Sequence, residues 1–83
     1  MKYIAEIDVM PKKEILDPQG KAVRLGLGNL GLTNVSDVRI GRHITLELEA
    51  ANEDDAKAQT TTACEKLLAN LIMESFQFKI FSA

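Results

Sequence analysis

Apolar side chains alternate with polar ones in three stretches of the chain, and this alternation constrains the fold more than any other feature. The stretches are residues 2–10, residues 35–50 and residues 76–80. A two-residue period is typical of β-strands that bury one face of a sheet. The apolar positions are Tyr3, Ala5, Ile7, Val9, Val38, Ile40, Ile44, Leu46, Leu48, Phe76, Phe78 and Ile80. We therefore predict a sheet with one apolar face.

A first helix is predicted after Pro11, which ends the first strand because it has no N–H to donate. Asp17 is a strong N-cap candidate, since its carboxylate can accept the free N–H groups of a first helical turn. Pro18 suits the first helical position, where its missing N–H costs nothing. Gly31 is a natural terminator of this helix. The stretch LDPQG is therefore interpreted mainly as a helix start, although its proline and glycine also suggest a ligand cradle.

A second helix is predicted to begin at Asn52, which is its N-cap. Acidic residues 53–55 then lie near the positive end of the helix dipole. A helical apolar stripe follows at Ala63, Cys64, Leu67, Leu68, Leu71 and Ile72. Asn70 is predicted to end this helix in a left-handed conformation.

Residues 35–50 allow two arrangements. A two-residue hairpin at residues 41–42 would place Leu46 on the wrong face of the sheet. A three-residue turn at residues 41–43 keeps both halves in phase, and so does one long strand bent at Gly41. We favour the turn.

The resulting order, β-α-β(β)-α-β, predicts an α+β fold. Two helices are expected to pack on one face of an antiparallel sheet, which is ferredoxin-like in the broad sense. Residues 1–83 are expected to form a single domain.

One cysteine and one histidine in 83 residues limit how this chain stabilises itself. A single cysteine excludes an intrachain disulfide, and one Cys with one His is too few for a typical four-ligand zinc site. A chain this short buries only a modest core. We therefore predict an oligomer, a homodimer or a higher homo-oligomer, with contact through strands.

Charge and hydropathy exclude other partners. The net charge is −2, and the ten Lys and Arg are scattered along the sequence, whereas a nucleic-acid surface normally shows a basic cluster. No stretch approaches the roughly 20 apolar residues of a membrane span. Glu6 and Asp8 interrupt the apolar start, which is unlike a signal peptide. We expect no nucleic-acid partner, no membrane partner and, given the free cysteine, a cytoplasmic location.

Four features suggest chemistry, and each has a simpler structural explanation. Residues 26–31 (GLGNLG) look like a phosphate loop but fall late in a helical run. His43 has no motif-like relation to a nucleophile and is expected to be a surface histidine in a turn. Cys64 belongs to the apolar stripe, where a thiolate is disfavoured. Residues 52–57 lack the ligand spacing of a calcium loop. No catalytic, cofactor-binding or metal-binding residue is predicted.

Two hypotheses remain from the residues alone. One is a non-catalytic assembly subunit that holds partners with a sheet edge or a helix face. The other is a small-ligand-binding regulatory α+β domain. A ligand domain should have a glycine-bearing loop between its first strand and first helix. Here PKKEILDPQG fills that position and places Gly20 inside the helix start, which weakens the second hypothesis.

Three motifs resemble one known family. They are residues 16–20 (LDPQG) followed by Ala22 and Val23, residues 38–42 (VRIGR), and residues 64–70 (CEKLLAN) followed by Ile72 and Glu74. In this order and spacing they resemble PurS, the small subunit of phosphoribosylformylglycinamidine (FGAM) synthase. The resemblance covers the whole chain.

The resemblance implies a role in the fourth step of purine synthesis, in which formylglycinamide ribonucleotide, glutamine and ATP give formylglycinamidine ribonucleotide. A large synthetase subunit uses ATP and Mg²⁺, and a glutaminase subunit releases ammonia. The small subunit is expected to be a homodimer that bridges the two, with no catalytic group and no cofactor of its own.

Five residues are candidates for partner contact. Gln19 and Gly20 are expected to be free to touch a partner at the helix start. Arg39 and Arg42 flank Gly41, and both are expected to be exposed. They would dock an acidic surface of the synthetase or glutaminase subunit, the alternative being a pair of solvated surface charges.

Overall fold

The computed structural model describes all 83 residues. The elements in chain order are β1 (Lys2–Pro11), α1 (Pro18–Asn29), β2 (Arg42–Glu49), α2 (Glu53–Ala63), a π-helical turn (Cys64–Leu68) and β3 (Glu74–Ser82).

The three strands form one antiparallel sheet in the order β2-β1-β3. Ile7 of β1 lies opposite Ile44 of β2 and Phe78 of β3. Because side chains alternate across a strand, this register places the apolar positions of all three strands on one face. The predicted α+β class, with two helices and an antiparallel sheet, is confirmed.

The centre of the sheet carries the core. Ala5, Ile7 and Val9 of β1 are fully buried and pack with Cys64 from the π-helical turn. The apolar side chains of the two outer strands are only half-buried: Ile44, Leu46, Leu48, Phe76, Phe78 and Ile80. The apolar face is therefore wider than its cover, which consists of α2 and, from the π-helical turn, Cys64 and Leu68.

Helix α1 is not placed where the sequence predicts. It makes no extensive contact with the sheet and lies beside residues 35–38, where Arg24 Nε donates to the carbonyl oxygen of Val35 at 3.1 Å. Val23 is 42% exposed, Leu25 70% and Leu30 77%. The protomer is accordingly elongated, at 51 × 26 × 14 Å. Both helices were expected to cover the sheet, and this detail is wrong because α1 keeps its apolar side outside the protomer.

Residues 35–41 form no strand, so the predicted turn at residues 41–43 is wrong, and so is the long bent strand. Strand β2 begins at Arg42. The N–H of Ile40 donates to Asp17 Oδ2 at 2.7 Å instead of to a neighbouring strand. Residues 38, 39 and 40 are all half-buried, so the apolar alternation of Val38 and Ile40 does not mark a strand of the sheet.

The predicted helix starts are confirmed. Asp17 Oδ1 accepts the Gly20 N–H at 3.0 Å, and Asn52 Oδ1 accepts the Asp55 N–H at 2.8 Å. Gly31, with φ of +86°, follows α1 as expected. Asn70 does not terminate a helix in a left-handed conformation, because the π-helical turn ends at Leu68 and the chain is extended at Ala69. Neither helix has the length and apolar content that a membrane crossing requires.

Candidate functional site

The motifs at residues 16–20 and 38–42 are joined to each other by one carboxylate. Asp17 accepts the N–H of Gly20 with Oδ1 and the N–H of Ile40 with Oδ2, at 3.0 and 2.7 Å. These two N–H bonds, from Gly20 first and then Ile40, lower the pKa of Asp17, and the charge of Arg39 adds to the effect. Asp17 therefore holds the start of α1 against the segment before β2.

Both glycines of these motifs lie where backbone segments approach closely. A methyl group on Gly20 would overlap the carbonyl oxygen of Val38, and one on Gly41 would overlap the carbonyl oxygen of Val9. Gly20 is also buried. The expectation that Gly20 is free to touch a partner is therefore wrong. Gly41 is exposed, and its smallness lets the chain pass over the end of β1.

Arg39 is half-buried, not exposed as the sequence predicted. Its Nη2 donates to the carbonyl oxygens of Lys12 and Ile15 at 2.5 and 3.0 Å. Alternation placed Arg39 on the polar side of a strand, but residues 35–41 form no strand. Its guanidinium instead supports the connection between β1 and α1.

Arg42 is half-exposed, at 49%, but its guanidinium has intramolecular partners. It makes a bidentate pair with Glu74 at 2.6 and 3.0 Å and donates to the carbonyl oxygen of Leu68 at 2.5 Å. Glu74 also accepts the Asn70 N–H at 2.8 Å. The Arg42 hydrogen bond, followed by that of Asn70, lowers the pKa of Glu74, and the Glu74 hydrogen bond raises the pKa of Arg42. This pair ties the start of β2 to the start of β3.

A cleft of about 370 Å³ lies where the three motifs meet, and we call it the Gln19 cleft. Gln19 is exposed, and its side-chain amide makes no hydrogen bond within the protomer. Most of the walls come from residues in or beside the three motifs: Leu16, Pro18, Gly41, Arg42, Met73 and Glu74. The cleft thus brings together Gln19, Gly41 and Arg42 of the five candidates. Sequence reasoning missed Leu16 and Met73, whose exposure in the fold was not visible from helical or strand periodicity.

The two side chains best suited to catalysis, His43 and Cys64, lie on opposite faces of the sheet. His43 lies in β2, not in a turn, and its Nδ1 is 2.7 Å from Asp8 Oδ1 on the polar face of the sheet. Cys64 is buried on the opposite, apolar face, and this burial raises the pKa of its thiol. A nucleophile needs a base within hydrogen-bond reach, and the sheet separates these two. No three His, Cys, Asp or Glu side chains are grouped as metal ligands.

These features define a class of protein: a small α+β protein with two helices, a three-stranded antiparallel sheet and open surface clefts. Within this class the chain matches the family model of PurS, described as phosphoribosylformylglycinamidine (FGAM) synthase, over residues 4–82. The chain belongs to the PurS family and is a subunit of FGAM synthase, part of a multi-subunit enzyme. The resemblance inferred from the three motifs is confirmed, and the regulatory alternative is not favoured.

Relatives and solved structures agree with this assignment. The chain is 46% identical over 78 residues to the PurS subunit of Synechocystis sp., covering 94% of this chain and 78% of the relative. It is 36% identical to PurS of Bacillus subtilis, covering 94% and 92% of the two chains. The B. subtilis PurS structure matches with a TM-score of 0.86 at 35% identity, over 96% and 99%. A chain of PurLQS from Thermotoga maritima matches with a TM-score of 0.88 at 30% identity, over 98% and 99%.

Proposed function

We propose that this chain is the non-catalytic small subunit that joins the synthetase and glutaminase subunits of FGAM synthase, so that ammonia passes between them. The observation that carries the proposal is the match to a chain of the T. maritima PurLQS structure over nearly the full length of both chains. A chain that shares its whole fold with a component of that complex is suited to the same position. The ATP and Mg²⁺ of the reaction are then bound by the synthetase subunit.

The chemistry of the side chains supports a role in assembly. Glutaminase chemistry requires an activated nucleophile, and the single thiol of this chain is buried with a raised pKa. Arg42 and Glu74 neutralise each other, and each carboxylate oxygen of Asp17 accepts a backbone N–H. The side chains that look reactive in the sequence therefore have structural roles within the protomer.

Self-association forms part of the proposal. Val23 and Leu25 of α1 and Leu30 at its C-terminal cap are 42–77% exposed. The apolar side chains of the two outer strands are half-buried. The edges of β2 and β3 are also unpaired in the protomer. A homodimer or higher homo-oligomer covers such surfaces. Since the subunit works with soluble metabolites, the proposed location is the cytoplasm, which fractionation of cells with an antibody against the chain would test.

Two of the five candidate residues remain available for direct contact with a partner. Gln19 and the outer edge of Arg42 face the Gln19 cleft. Gly20, Arg39 and Gly41 contribute by shaping the segments around it, because their contacts lie within the protomer.

Assembly from purified components tests the proposal. The synthetase and glutaminase subunits of the same organism are mixed with and without this chain and separated by size-exclusion chromatography. With the chain present, we expect one peak that contains all three proteins. A synthetase–glutaminase complex that forms equally well in its absence would contradict the joining role.

A further inference from the structure

The protomer has a helix that packs on no strand and a strand that no helix covers. Helix α2 packs on β1 and β3, and no helix makes extensive contact with β2. On the apolar face, Ile44, Leu46 and Leu48 of β2 stay half-buried. Helix α1 makes no extensive contact with any strand, and Leu25 and Leu30 are 70% and 77% exposed. These two surfaces are both apolar, and both belong to this chain.

The helix and the strand match in length, but they cannot meet within one protomer. Helix α1 has 12 residues and β2 has 8. At the usual rise per residue the helix is about 18 Å long and the strand about 26 Å, so the helix fits along the strand. Asp17 fixes the start of α1 to Ile40, and Arg24 bonds its middle to Val35, which holds α1 off the sheet. A helix that covers β2 must therefore come from a different molecule.

The surface area of the protomer is large enough to supply one side of a stable dimer. The protomer exposes 5960 Å² to solvent. A monomeric protein of 9.1 kDa exposes roughly 4,900 Å², because surface scales with mass in folded monomers. The excess of roughly 1,100 Å² is more than the roughly 800 Å² that each partner buries in a standard interface. Burial of this excess against a second copy would bring the chain to the exposure of an ordinary folded protein.

The charges around the two surfaces are opposite in sign. Residues 18–36, which contain α1, carry Lys21 and Arg24 and no acidic residue. Residues 43–55, which run from β2 into the first turn of α2, contain five acidic residues and no Lys or Arg. Both cations of the α1 segment are exposed, as are four of the five acidic residues. Opposite charge on two surfaces favours their encounter and fixes their orientation, so the chain carries its own complementary partner.

We propose that α1 of one copy covers the apolar side of β2 in a second copy, and that the second copy returns the same contact. A two-fold axis makes each contact twice, which is the usual arrangement in homodimers. This inference rests on the self-association included in the proposed function and names the two surfaces that form it. In the dimer each sheet then has two helices on its apolar face, one from its own chain and one from the partner.

A thiol introduced on β2 tests the inference in the purified full chain. Leu46→Cys places it on the apolar side of β2, and Glu47→Cys is the matched control on the opposite face. The native Cys64 is fully buried and adds little background. Each variant is made with native α1 and with Leu25→Ser/Leu30→Ser, and its rate of reaction with a maleimide is measured at micromolar concentration. We expect Leu46→Cys to react about tenfold faster when α1 carries the two serines, because the dimer that protects it dissociates. Glu47→Cys should react equally fast in both backgrounds.

Mixing two weakened variants distinguishes this exchange from other symmetric contacts. Ile44→Ser/Leu46→Ser alters the strand surface, and Leu25→Ser/Leu30→Ser alters the helix surface. A mixed dimer of the two retains one native helix on one native strand, so in sedimentation velocity the mixture should associate more strongly than either variant alone. A dimer built from helix on helix or from strand on strand would leave one of the two variants fully associated, which would contradict the exchange. Circular dichroism checks that each variant is folded, and the thiol experiment does not depend on the strand variant.

The outcomes also separate this inference from the joining function. Equal rates at Leu46→Cys in both α1 backgrounds would overturn the exchange, even in a chain that joins the other two subunits. Protection of Leu46→Cys that appears only when the synthetase or glutaminase subunit is added would overturn it as well and assign the β2 surface to that subunit. Protection by α1 in a chain that forms no three-protein complex would support the exchange and contradict the joining function.

Discussion

At the scale of single residues, Asp17 connects two segments that are distant in the sequence. Its carboxylate receives one N–H from α1 and one from the segment before β2. Gly20 and Gly41 allow the backbones to approach, and Arg39 holds the connection between β1 and α1 from the other side. Two of the three motifs that identify the family, residues 16–20 and 38–42, therefore serve to hold these two backbone segments together.

The fit of Gly20 predicts a loss of stability on a minimal change. Gly20→Ala places a methyl group against the Val38 carbonyl and the Asp17 carboxylate, and we expect it to destabilise the fold by about 1–3 kcal/mol. Gly26→Ala is the matched control, because a methyl group there meets nothing within 4 Å in the same helix. The control should raise stability by up to about 1 kcal/mol, since alanine favours a helix interior over glycine. Urea denaturation checks both, and equal midpoints for the two variants would contradict the close approach.

The lowered pKa of Asp17 predicts a pH-dependent contribution to stability. A carboxylate whose pKa falls on folding stabilises the native state above its unfolded value of about 3.9, and this stabilisation is lost as pH falls through the lowered folded pKa. Wild type should therefore be more stable than Asp17→Asn at neutral pH, and the gap should narrow as the solution becomes strongly acidic. Urea midpoints over a pH series measure the gap. A stability difference between wild type and Asp17→Asn that stays constant down to the lowest pH would show that the ionised carboxylate does not stabilise this contact.

At the scale of elements, α1 differs most from the other parts of the protomer. Helix α2 packs on β1 and β3, whereas α1 lies off the sheet with its apolar side chains exposed. Arg42 and Glu74 hold the turn between the π-helical turn and β3, which exposes Leu71, Ile72 and Met73. Met73 of this turn lines the Gln19 cleft. The protomer therefore presents its apolar surface at two places, α1 and this turn.

The strands and helix starts could be predicted because their causes are local. Alternation marks β1, β2 and β3, and Asp17 and Asn52 carry oxygens that satisfy their own helices. The position of α1 could not be predicted from the sequence. An apolar helix face indicates that the helix packs against another surface, but not whether that surface belongs to the same chain. The prediction for residues 35–41 was wrong for a related reason. The Ile40 N–H, which a sheet would need, donates to Asp17, 23 positions earlier in the chain. Of the candidate site, the exposure of Gln19 and Arg42 was predicted correctly. The burial of Arg39 and Gly20 was not, because it arises from long-range contacts with residues 12–15 and with Val38.

The exposed side of α1 predicts how the protein associates with itself. Leu25→Ser/Leu30→Ser removes apolar surface that is 70% and 77% exposed in the protomer, so the fold should remain intact while self-association weakens. Leu67→Ser/Ile72→Ser is the matched comparison, because both residues are 82% exposed and Ile72 belongs to the other apolar surface of the protomer. Sedimentation velocity measures the effect. A wild-type protein that is monomeric at micromolar concentration would contradict the proposed oligomer, and an α1 variant that associates like wild type would exclude α1 from the contact.

At the scale of the whole molecule, the shape agrees with a subunit that lies between larger partners. The protomer is 51 Å long and only 14 Å thick, which leaves most residues at the surface. The Gln19 cleft and a second cleft, which Lys21 and Arg24 help to line, both lie against the connection between β1 and α1, since both are lined by Ile15, Leu16 and Asp17. A thin molecule with two clefts beside one connection has surface for two partners at once.

The rate of product formation from each nitrogen source tests the joining role most directly. Synthetase and glutaminase subunits are assayed with and without this chain, using glutamine or excess ammonia, and the chain alone is assayed for glutaminase and ATPase turnover. We expect that the chain alone is inactive, that the glutamine-dependent rate requires the chain, and that the ammonia-dependent rate depends on it much less, because joining matters only when ammonia must pass between subunits. Equal glutamine-dependent rates with and without the chain would contradict it.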